Sequence, residues 1–281
     1  MNQPLVNQPD RSVTPLLSVQ GVSVRFAGVM ALTDVSFRVQ PGELFAVIGP
    51  NGAGKTSLFN VLSRVYQPAA GSVTFDGRDL LRLKTYQTAR AGIARSFQNL
   101  GQFPNTTVLD YLLLGRHTCM RSGILLGGFY LGMTYNEERK NRAYCMKLLS
   151  LLSLERYRDA PLCSLPYGLQ KRADLARALA LEPKLLLLDE PVAGMGIEET
   201  EDIASVILDV KEQLGVTQIL VEHDMALVMG IADRVLVLDF GRVIAQGRPA
   251  EVQANPNVIK AYLGEDFGVS NDVLLPTDKT R

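Results

Sequence analysis

A glycine-rich stretch in the first quarter of the chain carries residues that could bind phosphate. Residues 49–56 read GPNGAGKT and match the pattern GxxxxGK[ST], between a short apolar run and a helical pattern. The glycines allow successive backbone N–H groups to point at an anion, and the following helix adds the positive end of its dipole. Lys55 can reach the β- and γ-phosphates of a nucleotide, and the Thr56 hydroxyl can ligate Mg²⁺. The candidate phosphate-binding residues are Asn51, Gly52, Ala53, Gly54, Lys55, Thr56 and Ser57.

Two adjacent acidic residues follow an apolar run in the second half of the chain. Residues 184–191 read KLLLLDEP, and the leucines indicate a strand that is buried on both faces. Ligands bind at the carboxyl ends of parallel strands, where Asp189 and Glu190 would stand. Asp189 can hold a magnesium ion directly or through water, and Glu190 can polarise an attacking water as a general base. Alone, the pair would be an ordinary charged strand end; with the phosphate loop upstream, it predicts a site of nucleotide hydrolysis.

The elements that must position these residues follow from the apolar pattern. Alternating apolar and polar residues predict antiparallel strands at 17–24 and 31–39, with a hairpin edge at 71–77. Buried strands are predicted at 44–48, 185–188 and 218–221, and a hairpin at 234–245. Helices are predicted at 57–65, 108–116, 136–152, 168–181, 198–214 and 256–263. The order of elements indicates an α/β fold with a mainly parallel sheet core, an antiparallel β part and an inserted helical subdomain at about 105–181.

Composition excludes several other classes of protein. The 29 basic residues equal the 29 acidic residues in number, so no overall field attracts nucleic acid. The longest candidate membrane span, residues 122–135, is too short and is interrupted by glycines. The polar start of the chain lacks the basic and apolar regions of a signal peptide. The 3 cysteines lie far apart, without the spacing of metal ligands.

Together these motifs resemble those of ATP-binding cassette (ABC) ATPases, and further motifs of that family stand at matching positions. Residues 96–99 (SFQN) resemble the Q-loop, which implies that Gln98 contacts Mg²⁺ and the attacking water. Residues 221–224 (VEHD) resemble the H-loop, which implies that His223 contacts the γ-phosphate. Phe26 matches the aromatic residue that stacks on adenine in this family. A core phenylalanine is the alternative interpretation of Phe26.

The signature loop departs from the family pattern. The family usually carries LSGGQ before a helix, whereas residues 165–169 here read LPYGL. Pro166 therefore replaces the serine that contacts the γ-phosphate, and Leu169 replaces the glutamine. Gly168 remains, and its N–H group can still face phosphate at a helix N-terminus. In the D-loop, Gly196 stands where an aspartate is usual. We expect these changes to affect the contacts between two such ATPases in a dimer rather than ATP binding itself.

The resemblance covers about residues 17–265 and implies one P-loop NTPase of the ABC type at 16–265, with flexible tails at 1–15 and 266–281. Within the family, the chain most resembles the ATP-binding subunits of branched-chain amino acid importers. Three features carry this likeness: the insert at 121–139, the signature loop without serine, and the ending NPNVIKAYLGE at 255–265. Relatives in such systems handle leucine-like amino acids, other amino acids, amides or urea.

The importer resemblance also implies cofactors and partners. ATP and Mg²⁺ are the expected cofactors, and the expected location is peripheral, at the cytoplasmic face of the inner membrane. Two integral membrane permease subunits are expected, together with a second ABC ATPase, or a second copy of this chain, in a head-to-tail dimer. A solute-binding protein is an indirect partner, and nucleic acid is not expected.

Other functions stay open at this point. A lipopolysaccharide-export ATPase shares the type of ending at 262–267 (YLGEDF) but normally differs in the Q-loop and the signature loop. Non-transport ABC ATPases of repair or translation usually carry two cassettes or a long coiled coil, and this sequence shows neither. A GTPase or a small-molecule kinase is disfavoured, since the NKxD guanine motif is missing and the His223 and Gly168 elements are present.

Overall fold

Two β-sheets form the framework of the chain in a computed structural model, which describes residues 14–96, 106–116 and 131–266. The smaller sheet is antiparallel and has the strand order β2-β1-β4-β5. The larger sheet has the order β10-β9-β3-β8-β7-β6. The strands are β1 Leu17–Phe26, β2 Val29–Val39, β3 Leu44–Ile48, β4 Ala70–Phe75, β5 Arg78–Asp79, β6 Ile93–Arg95, β7 Leu185–Asp189, β8 Thr217–Val221, β9 Arg234–Asp239 and β10 Arg242–Gly247.

Helices cover the larger sheet and fill the connections between its strands. The described helices are α1 Lys55–Leu62, α2 Thr85–Ala91, α3 Val108–Arg116, α4 Leu131–Leu151, α5 Tyr167–Leu179, α6 Ile197–Leu214, α7 Met225–Ile231, α8 Pro249–Gln253 and α9 Pro256–Asp266. Helices α3, α4 and α5 pack on one another within the range predicted to be helical. Gly115 permits the close approach of α3 to α5, because a Cβ there would lie 2.5 Å from the carbonyl oxygen of Arg177.

The larger sheet is parallel except for β10, which runs antiparallel to β9. Every residue of β3, β7 and β8 is buried, which explains the apolar runs LFAVI, LLLL and ILV within these strands. Because neighbouring parallel strands end at the same edge, the loops after β3, β6, β7 and β8 emerge side by side. This edge receives the residues predicted to act on a nucleotide.

Two apolar cores lie on opposite faces of the larger sheet. Successive strand residues point to opposite faces, so Leu44, Ala46 and Ile48 join the core under the helices α3 to α7. Phe45 and Val47 join the core shared with α1 and the antiparallel sheet. The parallel strands are thus held between two apolar layers, which keeps their carboxyl ends in register.

The predicted α/β fold is confirmed, and the differences are local. The strand pair β1 and β2 is antiparallel, as the alternation predicted, and β9 and β10 form the predicted hairpin. The helix predicted at 57–65 is wrong at both ends, since α1 begins at Lys55 and ends before Arg64 takes a left-handed φ of 61°. Four further elements, β6, α2, α7 and α8, were not predicted, because they are too short to show a hydrophobic period.

Some predictions fall outside the described residues. These are Gln98, the insert as far as residue 130 and nearly all of both tails. Of the described helices, none combines the length and apolar character that crossing a membrane requires.

Candidate active site

The loop between β3 and α1 wraps around the side chain of Lys55. Gly49 and Gly54 have left-handed φ angles of 148° and 103°. A Cβ would lie 2.0 Å from the carbonyl oxygen of Leu238 at Gly49, and 2.7 Å from that of Ala31 at Gly54. The path of the loop therefore requires glycine at both positions. Lys55 Nζ donates to the carbonyl oxygens of Gly49 at 2.5 Å and Pro50 at 2.9 Å.

The other residues of the loop differ in exposure. Asn51, Gly52 and Thr56 are exposed, Gly54 and Ser57 are half-buried, and Ala53 is buried. The N–H of Ala53 donates to Pro50 at 3.1 Å, and its carbonyl oxygen accepts from Gly241 at 3.0 Å. The β9–β10 turn thus supports the loop from behind. Thr56 is exposed and lies in the first turn of α1, at the positive end of the helix dipole.

Asp189 ends β7 and is buried beside the end of β6. Its Oδ2 atom accepts a hydrogen bond from a terminal nitrogen of Arg95 at 2.5 Å, and the two residues form an ion pair. Ser96 also contacts this strand end, since its N–H donates to the carbonyl oxygen of Leu187 at 3.0 Å. The segment that leads to Gln98 is therefore anchored on β7 immediately beside Asp189.

Glu190 turns away from the direction of β7. Its φ of 47° is left-handed, and its N–H donates to the carbonyl oxygen of Val221 at 2.9 Å. A left-handed conformation is costly for a residue with a Cβ and is typical of functional sites. The left-handed backbone at the half-buried Glu190 therefore directs its side chain differently from that of Asp189, which ends the regular strand.

His223 follows β8 and stands beside a buried acid. Its side chain is 60% exposed, and its Nδ1 atom lies 3.7 Å from Oε2 of Glu222. Glu222 is fully buried, and it accepts the N–H of Val192 and the N–H of His223, each at 3.1 Å. Burial raises the pKa of Glu222, while these two donors oppose the shift. Glu222 was not among the predicted site residues, although its position directly after a buried strand could have indicated it.

Gly168 lies in the first turn of α5, whose N-cap is Pro166. A Cβ on Gly168 would come within 3.1 Å of Oε1 of Glu199 in α6, so the signature segment packs against the segment that follows Gly196. Phe26 ends β1, is 42% exposed, and contacts the ring of Tyr66 edge-on at 4.8 Å between centroids. The structure thus leaves part of the Phe26 ring open to a ligand.

A buried polar cluster connects this edge of the sheet to the helices. The hydroxyl of Tyr111 donates to Oδ1 of Asp174 at 3.0 Å, and Arg177 Nε donates to the same atom at 3.0 Å. A terminal nitrogen of Arg177 donates to the carbonyl oxygen of Arg95 at 3.1 Å. The cluster joins α3 and α5 to β6, and no local sequence pattern indicated it.

A phosphate loop, a buried carboxylate and a turned glutamate at one sheet edge define a P-loop nucleoside triphosphatase. The family model for ABC transporters matches residues 32–193, and a model for branched-chain amino acid ATP-binding cassette transporters matches residues 242–268. The chain belongs to the ABC transporter family, as an ATP-binding subunit that hydrolyses ATP.

Curated relatives match along nearly their whole length. The high-affinity branched-chain amino acid transport ATP-binding protein BraF of Pseudomonas aeruginosa is 38% identical over 251 residues, which are 89% of this chain and 98% of the relative. The corresponding protein LivG of Escherichia coli is 37% identical, with the same coverage of both chains.

Solved structures agree with the fold. A nucleotide-free ATP-binding cassette of an ABC transporter has a TM-score of 0.77 at 30% identity, covering 89% of this chain and 99% of its own. The ADP conformation of another such cassette has a TM-score of 0.78 at 28% identity, covering 90% and 100%.

Proposed function

We propose that the chain binds MgATP and hydrolyses it to energise the import of branched-chain or related amino acids, or of amides or urea, through separate membrane subunits. The observation that carries the proposal is the arrangement of Lys55, Asp189, Glu190 and His223 on adjacent loops at one edge of a parallel sheet. The names of the relatives support the class of solute, since they are branched-chain amino acid transport ATP-binding proteins.

The phosphate groups of ATP bind to the loop at residues 51–57. The Lys55 ammonium group and the N-terminus of α1 supply positive charge, and Phe26 offers an aromatic face to adenine. Gln98, which lies outside the described residues, completes the proposed set.

The residues that would hold Mg²⁺ are Thr56, Asp189 and Gln98. A hydroxyl, one carboxylate and an amide oxygen suit this ion, which usually keeps several waters and binds phosphate oxygens as well. In the described part of the chain, no three His, Cys, Asp or Glu side chains gather to form a metal site of their own. When bound, Mg²⁺ neutralises charge on the phosphates.

Hydrolysis needs a base and a group at the γ-phosphate. Glu190 accepts a proton from the water that attacks the γ-phosphorus, while the bond to the ADP oxygen breaks and phosphate leaves. His223 is exposed at the neighbouring strand end, where its ring can contact the γ-phosphate. The buried Glu222 holds the backbone of His223 in place.

A head-to-tail dimer, with a second ABC ATPase or a second copy of the chain, would complete each site. Gly168 of one chain would then face the nucleotide of the other. Tyr167 is 45% exposed and Ile197 is 81% exposed near the signature segment and the D-loop, and such apolar side chains suit a surface that a partner covers. Opening and closing of the dimer would act on two permease subunits at the cytoplasmic face of the inner membrane, which receive solute from a binding protein.

Isolation of the chain from its native membrane, with ATP hydrolysis measured on the recovered complex, tests the proposal. Recovery with two polytopic subunits and a second cassette is the expected result, and uptake of leucine, an amide and urea by the reconstituted complex then identifies the solute. An active species without any membrane partner would contradict the role in transport.

A further inference from the structure

Arg95, at the carboxyl end of β6, is held in one orientation by three side chains. One terminal nitrogen lies 2.5 Å from Oδ2 of Asp189. The other terminal nitrogen donates to Oδ1 of Asn60 at 2.9 Å and to Oγ of Ser63 at 3.2 Å. Asn60 lies in α1, and Ser63 is the C-cap of this helix. The guanidinium group also lies over the ring of Phe59, 5.8 Å from its centroid. Arg95 therefore connects the proposed metal carboxylate to the helix that carries the phosphate loop.

The ion pair decides the net charge of this corner of the site. The Asp189 side chain is 1% exposed and that of Arg95 is 22% exposed, so water screens their charges weakly. The guanidinium group and the carboxylate carry opposite charges in direct contact, and the pair is therefore close to neutral in sum. Without Arg95, no guanidinium group at this position would balance the charge of Asp189, at the edge of the sheet where the nucleotide is proposed to bind.

We propose that Arg95 is a positioning residue that neutralises and orients Asp189, so that the site binds metal-free ATP more tightly, and Mg²⁺ less tightly, than a site with an unpaired Asp189 carboxylate would. The inference rests on the proposed function, in which Asp189 is a magnesium residue. It concerns a residue that touches neither nucleotide nor metal in that proposal and acts through Asp189.

The expected effect of Arg95→Met has opposite signs for metal-free ATP and for Mg²⁺. Loss of the positive charge should raise the Kd of ATP in EDTA by about tenfold, because Asp189 then repels the phosphates. The Kd of MgATP should stay within about threefold, because the metal replaces the lost charge. By thermodynamic linkage, the magnesium concentration that half-saturates the ATP complex should fall by about tenfold.

Arg234→Met is a matched control. Arg234 forms an ion pair with the buried Glu43 at 3.0 Å, its side chain is 21% exposed, and it lies over the ring of Phe45 at 5.4 Å. Arg234 begins β9 and therefore lies at the amino ends of the parallel strands, whereas Asp189 lies at their carboxyl ends. The substitution removes the same kind of interaction from the same sheet without changing charge near Asp189.

The test is a fluorescence titration of the purified full-length chain with an N-methylanthraniloyl derivative of ATP, in EDTA and over a series of Mg²⁺ concentrations. Wild type, Arg95→Met, Arg95→Lys, Arg234→Met and Asp189→Asn are compared, after thermal unfolding shows which are folded. Arg95→Lys keeps the positive charge but loses the forked arrangement of nitrogens. Its ratio of the Kd of ATP in EDTA to the Kd in Mg²⁺ should therefore lie near that of wild type. If Arg95→Met fails to fold, Arg95→Gln replaces it.

The outcomes separate two proposals, the magnesium site at Asp189 and the role of Arg95. A larger ratio of Kd in EDTA to Kd in Mg²⁺ for Arg95→Met, with an unchanged ratio for Arg234→Met, supports the role of Arg95. If wild type depends on Mg²⁺ through Asp189 while Arg95→Met keeps the wild-type ratio, the role of Arg95 is wrong and the proposed metal site stands. If Mg²⁺ has the same effect on wild type and Asp189→Asn, Asp189 is not a magnesium residue and both proposals fail.

Discussion

Glu222 accepts the N–H of Val192 at 3.1 Å and thereby ties the loop after β8 to the loop after β7. The two residues are 30 positions apart, and Glu222 is fully buried. Because Val192 follows Glu190 and Glu222 precedes His223, one carboxylate sets the spacing between the proposed base and the proposed γ-phosphate contact.

Replacement of Glu222 by glutamine should flatten the dependence of stability on pH. Burial raises the pKa of Glu222 above its ordinary value of 4.5, and the charge of Glu190 adds to the shift. The folded state therefore binds this proton more tightly than the unfolded state does. The resulting stabilisation is complete below 4.5 and is lost as the pH rises through the folded pKa. The free energy of unfolding of Glu222→Gln, measured in urea from about pH 4 to about pH 8, should fall less with rising pH than that of wild type.

Glu212→Gln, on the exposed side of α6, is the control for this measurement and should follow the wild-type curve. Equal slopes for wild type and Glu222→Gln would contradict the prediction.

Glu190→Gln should separate nucleotide binding from hydrolysis. The amide keeps the size of the side chain but cannot accept the proton of the attacking water, so phosphate release should fall by about 100-fold or more. The Kd of ATP should change by less than about threefold, since the phosphate loop is intact. Phosphate release and fluorescence titration measure the two quantities, and the variant should accumulate as an ATP-bound dimer in gel filtration.

Glu198→Gln replaces an exposed glutamate in the first turn of α6 and should hydrolyse ATP at the wild-type rate. Normal turnover by Glu190→Gln would remove Glu190 from the role of base.

Gly54→Ala should destroy the phosphate loop for steric reasons. The Cβ atom would lie 2.7 Å from the carbonyl oxygen of Ala31, on a backbone with a φ of 103°. We expect the Kd of ATP to rise by about 100-fold and the free energy of unfolding to fall by about 2 kcal/mol. Isothermal titration calorimetry and urea denaturation measure these changes.

Gly77→Ala is the control, with a φ of 72° in the β4–β5 turn and open space around its Cβ among the described residues. Gly77→Ala should lower the free energy of unfolding through backbone strain alone and should leave the Kd of ATP unchanged. Comparable ATP affinities for the two variants would mean that the close contact at Gly54 does not shape the loop.

Tyr111→Phe should weaken the cluster that joins the helices to β6. Burial raises the pKa of the Tyr111 hydroxyl, which therefore stays protonated and donates to Asp174. Loss of this buried hydrogen bond should lower the free energy of unfolding by about 1 to 2 kcal/mol, measured in urea. Tyr86→Phe, at a side chain that is 63% exposed, should have almost no effect. An equal loss in both variants would contradict the importance of the cluster.

The amino-acid sequence alone determined the class of the fold and the residues that are proposed to bind phosphate, because both depend on neighbours in the chain. A buried strand, a glycine-rich loop and a helix start are local features, and the pair Asp189 and Glu190 follows from one strand end. Only the tertiary structure decided the strand order, the pairing of Arg95 with Asp189 across 94 positions, and the positions of Glu222 and Tyr111. These contacts come from packing between elements that are far apart in sequence. Hydrophobic periodicity predicts the type of each element but not which distant side chains contact one another.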